Sequence, residues 1–170
     1  MPRNEPPELS QIFGSVFLKA TLLLACLLAG YLIYQHATRP EMEVISANEV
    51  RLQRHNDGHY HASGSINGTP IKFMLDTGAS LVSVSRSVAR QAGLECEAPA
   101  TFTTANGKVE GCVALREEVV FGGYRVFDVD IAIMPGMDDT ALLGMNVLGK
   151  FDLRQSDGVL VISRLSGARQ

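Results

Sequence analysis

FMLDTGASLVSV, residues 73–84, holds a carboxylate where an apolar strand should simply continue. Phe73, Met74 and Leu75 lead into Asp76, Thr77 and Gly78 follow at once, and apolar residues resume at Leu81. Placing an acid inside such a run is costly unless its charge is put to use or hydrogen-bonded. Ordinary turn chemistry also uses Asp and Gly, because the acid bonds to nearby backbone and glycine turns sharply. A phosphoryl-accepting aspartate at a strand end is a second chemistry to weigh. That scheme wants another acid two residues later in a parallel α/β setting, and Gly78 stands there instead.

The surrounding sequence is that of short strands. "HYHASGSI" and "TPIKFML" alternate on either side of Asn67-Gly68, a strong two-residue hairpin signal, so Tyr60 to Leu75 forms one hairpin that ends at the acid. Ser85 caps a short helix over "RSVARQA", closed by Gly93. Asn106-Gly107 marks a second hairpin between "PATFTTA" and "KVEGCVALREEVVF", with a polar tip that is free to project. "YRVFDVDIAIM" turns Val126, Val129, Ile131 and Ile133 toward a core. "LLGMNVLGKF" is a strand end passing into a short helix, and "VLVISRL" is a closing strand. The class is all-β with one or two short helices.

Residues 12–34, "IFGSVFLKATLLLACLLAGYLIY", carry a single charge, Lys19. That length crosses a hydrocarbon core of ~30 Å, and a lysine near one end snorkels to the interface. A cleaved signal peptide and a lipoprotein signal at "LLAC" fit less well. The apolar part after Lys19 is long for the first, and mostly apolar residues follow Cys26, against the second. A transmembrane anchor is expected, with Arg3 and Lys19 against Arg39 favouring a cytoplasmic N-terminus. The expected organisation is a tail over 1–11, the anchor over 12–34, a tether over 35–47 containing Pro40, a folded domain over 48–165 and a C-terminal tail over 166–170. The chain has 170 residues and a formal net charge of -3, spread without runs, which excludes a nucleic-acid partner as a leading reading. Cys96 and Cys112 form no metal-ligand pattern, and whether they pair stays open.

The order hydrophobic-hydrophobic-Asp-Thr-Gly-Ala-Ser after a hairpin, with "ALLGMNVLGKFDL" (141–153) downstream and a projecting hairpin between, resembles the retropepsin-like aspartic proteases, bacterial membrane-anchored members above all. The resemblance implies a closed β-barrel or sandwich with Asp76 as the catalytic acid/base. Thr77, Gly78 and Ala79 would form the active-site loop, Thr77 bonding across to a partner loop. The tip Thr104, Ala105, Asn106 and Gly107 would be the flap over a peptide substrate. The tip has less glycine than the flaps of viral members. Two carboxylates held close together share one proton and so serve as base and acid in turn. The chain has one such loop, since Asp157-Gly158 lacks both the apolar lead and the middle residue. The pair is therefore expected from a homodimer. The expected activity is that of a membrane-anchored aspartic endopeptidase with its domain outside the cytoplasm, in the periplasm of an inner-membrane protein. The alternative is a catalytically silent dimerisation or peptide-binding module of the same fold.

No cofactor and no metal is expected. His55, His59 and His61 cluster in "HNDGHYH", and alternation would put His59 and His61 on one strand face. An exposed polar face beside a turn is the plainer reading. Asp128, Asp130, Asp138 and Asp139 are read as solvated.

Overall fold

Two Asx-Gly pairs set the register of two hairpins. Asn67-Gly68 (φ 49° and 79°) and Asp157-Gly158 (φ 49° and 76°) both take the left-handed backbone of a type I′ turn, whose twist matches that of the strands it joins. The computed structural model describes residues 9–37 and 41–165. In chain order the elements are α1 (Leu9–Ala37), β1 (Met42–Ser46), β2 (Glu49–Gln53), β3 (His61–Ile66), β4 (Thr69–Leu75), β5 (Val82–Ser85) and α2 (Arg86–Gln91). They continue with β6 (Ala98–Thr104), β7 (Gly107–Phe121), β8 (Tyr124–Met134), β9 (Ala141–Leu143), α3 (Met145–Leu148), β10 (Phe151–Ser156) and β11 (Val159–Arg164). Residues 1–8 and 166–170 of the expected tails, residues 38–40 of the expected tether, and Arg3 and Arg39 behind the orientation reading lie outside the described residues.

The chain divides between Arg39 and Pro40 into two units. The first contains α1, which runs past both ends of the expected span. Its stretch Val16–Gln35, with a mean hydropathy of 2.2, is long and apolar enough to cross a membrane. Leucines are exposed all along that stretch. Thr21 satisfies its hydroxyl within the helix by donating to the Phe17 carbonyl at 2.8 Å.

In the second unit the tether proves shorter than expected. β1 occupies Met42–Ser46 and pairs antiparallel with β2, Met42 opposite Leu52 and Val44 opposite Val50. Four of its five residues are exposed, so it carries no inward-outward pattern to betray a strand. Met42 alone packs on the core.

Two sheets follow. One has the order β1-β2-β11-β10. In the other the order is β3-β4-β9-β5-β8-β7-β6, and β3 pairs back onto β7 through Gly64 opposite Phe121, which closes six strands into a ring. β6 hangs outside that ring on β7. The core between the sheets is formed by fully buried residues such as Phe73, Phe121, Leu52, Ile131, Leu143 and Ile162. Tyr124 ties the sheets together: its ring lies 4.7 Å from that of Phe151, and its hydroxyl donates to the Ile162 carbonyl at 3.1 Å. Val126 and Val129 both point inward, although they are three apart, because Asp128 (φ 55°) makes an irregularity in the β7–β8 register.

Cys96 and Cys112, left open by the sequence, form a disulfide with Cα atoms 5.5 Å apart. It staples the base of the β6–β7 hairpin. Closing a loop across a separation of 16 residues stabilises a fold by about 3 kcal/mol through the unfolded chain. Cys96→Ala with Cys112→Ala is expected to lower the unfolding free energy of the domain by that amount, which moves its urea midpoint down. An unchanged midpoint would show that the bridge contributes nothing.

Candidate active site

β4 delivers Asp76 by simple alternation. Ile71, Phe73 and Leu75 are buried, which leaves Lys72, Met74 and Asp76 on the opposite face. Asp76 is half-buried just beyond the strand end. Its Oδ1 accepts the Gly78 N–H at 2.8 Å, and its carbonyl accepts the Ala79 N–H at 3.2 Å. The acid thus folds its own turn, and Gly78 is the residue over which the carboxylate lies. Thr77 is exposed, and its hydroxyl bonds to nothing among the described residues.

The loop is clamped from a distant part of the chain. β9 lies between β4 and β5, parallel to the first (Met74 opposite Leu142) and antiparallel to the second (Ser83 opposite Leu142). The Asp76 N–H donates to the Leu143 carbonyl at 3.2 Å. The chain then crosses the loop at Gly144, where any Cβ would collide with the Leu81 carbonyl and stand 2.9 Å from the Ala79 oxygen. Met145 N–H donates to Ala79 at 2.8 Å and Asn146 N–H to Ser80 at 3.0 Å. The Asn146 side chain accepts from Val82 N–H at 2.9 Å and donates to the Asp130 carbonyl at 2.8 Å. The stretch 141–153 was singled out for two hydrophobic residues, a glycine and a helix beside the loop, but Asn146 was given no role. An amide inside an otherwise apolar run was the available signal.

Beside Met74, on the Asp76 side of the strand, a cavity of about 370 Å³ is lined by Met74, Leu142, His61, Asp57, Met137 and Thr140 among others. It is mixed in character, with an apolar floor from β4 and β9 and a polar wall from Asp57 and His61. A second cavity of about 230 Å³ touches Thr77, Leu75, Tyr60 and Leu153.

The β6–β7 hairpin projects as expected, paired from Ala98 opposite Val113 to Thr104 opposite Gly107. Ala105 and Asn106 form its two-residue tip. The Thr104 hydroxyl donates to the Gly107 carbonyl at 2.9 Å and accepts the Asn106 N–H at 3.2 Å. The tip is therefore internally braced.

The histidines fall differently from their alternation. His61 is buried, His59 is exposed, and the group brought together is His55, Asp57 and His61. Asp57 is held down at about 2, first by the backbone N–H of His59 and then by the His61 ring. Asp128 is exposed as expected, whereas Asp130 is half-buried and its carboxylate accepts the Arg116 N–H at 3.3 Å. Among the described residues no second Asp-Thr-Gly loop stands near Asp76, and Asp157-Gly158 is a hairpin turn.

The comparisons with known proteins agree with this geometry. The family model described as "gag-polyprotein putative aspartyl protease" matches residues 62–150, from β3 through the clamp. An uncharacterized protein of Rickettsia prowazekii (strain Madrid E) is 31% identical over 117 residues, 67% of this chain and 50% of that one. An uncharacterized protein in the cobV 5′ region of Sinorhizobium sp is 29% identical over 114 residues, 63% and 48% of the two chains. The chain thus spans about half the length of these curated relatives. The crystal structure of a retropepsin-like aspartic protease from Rickettsia conorii is similar, with a TM-score of 0.58 and 30% identity over 66% of this chain and 97% of that one. With half the sequence matched and the ring, loop and clamp in place, the chain belongs to the gag-polyprotein aspartyl protease family and has the retropepsin-like fold.

Proposed function

We propose that the protein is an aspartic endopeptidase that works as a homodimer, anchored to a membrane by α1 with its domain on the oxidising side. The observation that carries this reading is one clamped Asp76 loop per chain, its carboxylate fixed by Gly78 and its backbone by Leu143. A lone ionised carboxylate that takes the proton of the attacking water has none to give the carbonyl oxygen at the same moment, so in this reading a second comes from another copy. With Asp76 of the partner subunit alongside, the two groups hold a single proton, since like charges so close do not both ionise. The ionised member takes a proton from water as it attacks the peptide carbonyl. The protonated member donates to the carbonyl oxygen; as the tetrahedral diol collapses, the first member gives its proton to the leaving amine and the second recovers one from a diol hydroxyl, which restores the singly protonated pair. The Thr77 hydroxyl, exposed and without a bond among the described residues, would bond to the partner loop. The β6–β7 hairpin, with Thr104, Ala105, Asn106 and Gly107 at its tip, serves as the flap over the peptide. The cavity beside Met74 receives a substrate side chain. The disulfide supports an oxidising compartment, where such bonds persist.

The test is cleavage of a peptide library by the full chain in detergent micelles, with sedimentation in parallel. Specific activity is expected to rise with protein concentration as dimer forms. Full activity in a strict monomer would overturn the two-chain pair, and peptides left intact by a dimer would favour the silent binding module.

A further inference from the structure

We propose that His55, Asp57 and His61 form a binding site for a divalent transition-metal ion of the zinc class, separate from the Asp76 carboxylate. One ligand atom from each lies within 4.8 Å of the others. Two imidazole nitrogens and a carboxylate are the donors that such ions prefer, whereas calcium and magnesium prefer oxygen alone.

The spacing is close to what a bound ion needs. Metal–ligand bonds near 2.0–2.1 Å in a tetrahedral site put neighbouring ligand atoms roughly 3.3 Å apart. His55 Nδ1 stands 3.4 Å from Asp57 Oδ1. His61 Nε2 is 2.7 Å from the other oxygen, Asp57 Oδ2, which is a hydrogen bond; an ion in its place would open that gap by about 0.6 Å. The ring proton then sits on Nδ1, so that His61 stays neutral and Nε2 presents its lone pair to the ion. The His59 N–H donates to Asp57 Oδ1 at 2.8 Å, which fixes the carboxylate in place between the two histidines.

The supporting contacts are also those of a metal site. A ligating histidine commonly presents its other ring nitrogen to a carboxylate, and His55 Nε2 faces Glu41 Oε1 at 3.5 Å, Glu41 being held in turn by Lys72 at 3.1 Å. The His61 side chain is 9% exposed, so its ring is held in one place with Nε2 directed at Asp57. A solvated histidine on a polar face would not be packed away in this manner. The turn Gly58 (φ 86°), with its N–H donating to the His55 carbonyl at 2.9 Å, is what folds His55 back toward His61. Asp57 and His61 also line the cavity beside Met74, so the fourth coordination position opens to that cavity.

Untagged full-length chain in detergent micelles, stripped of metal and titrated calorimetrically with zinc chloride, tests the site. Uptake of one zinc per chain is expected, with X-ray absorption showing nitrogen and oxygen neighbours and no sulfur. His55→Gln and Asp57→Asn, both at half-exposed positions where folding is not at stake, are each expected to weaken binding at least tenfold, and His59→Gln to leave it unchanged. Absence of uptake, uptake that both substitutions leave intact, or a sulfur neighbour from Cys26 would each overturn the proposal. None of these readouts depends on peptidase activity.

Discussion

Asp76→Asn in both subunits is expected to lower peptide cleavage by at least ~10³-fold while leaving the fold and the dimer unchanged, a loss at the upper end of what general acid–base groups contribute. The asymmetry follows from the contacts. The Asn carbonyl oxygen can still accept the Gly78 N–H that Asp76 Oδ1 accepts at 2.8 Å, so the turn keeps its shape. It cannot take a proton from water or return one. A mixed dimer with one Asn should fail too, because the remaining acid has no like-charged neighbour with which to share a proton. If the proposed dimer works only with a singly protonated pair, its rate should pass through a maximum as pH rises. Steady-state cleavage of a fluorogenic peptide checks all three. Retained activity in the double Asn dimer would remove Asp76 from the chemistry.

Gly144→Ala is expected to destabilise the domain strongly, on the order of 3–4 kcal/mol. The added methyl would meet the Leu81 carbonyl and crowd the Ala79 oxygen, and both are backbone. No side-chain rotation can relieve the contact. Either the crossing strand or the loop of Asp76 must move, which breaks the bonds from Met145 and Asn146 to Ala79 and Ser80. Thermal melting followed by far-ultraviolet circular dichroism should show a fall of many degrees. A melting temperature equal to that of the parent would mean that the clamp is looser than its contacts imply.

What could be read before any coordinates was whatever is local. Asn67-Gly68 and the alternation around it specify a hairpin from a few residues, and Ser85 does bond the Val88 N–H that starts α2. The acid at position 76 stood out because its neighbours are apolar. β1 was missed because it is an edge strand with almost nothing buried. The turn at Asp157-Gly158 was noticed only for what it lacked, so β10 went unseen as a partner of β11. His55 and His61 could not be paired from strand parity, since a tight turn and not a strand brings them together. The contribution of Asn146 was hidden for a different reason. Its two side-chain bonds reach Val82 and Asp130, and no local pattern encodes contacts across 64 and 16 positions.

That long reach has a consequence for when the protein becomes competent during its own synthesis. β4 and β5 leave the ribosome early, yet the strand that separates and aligns them, β9, is made some sixty residues later and has to enter between them. Contacts so distant in sequence form late, because the intervening chain must first be closed into a loop. A growing chain that ends before position 141 contains Asp76, its turn and most of the hydrophobic core, but not the crossing segment that fixes them. The assembled loop is therefore a property of the nearly finished polypeptide.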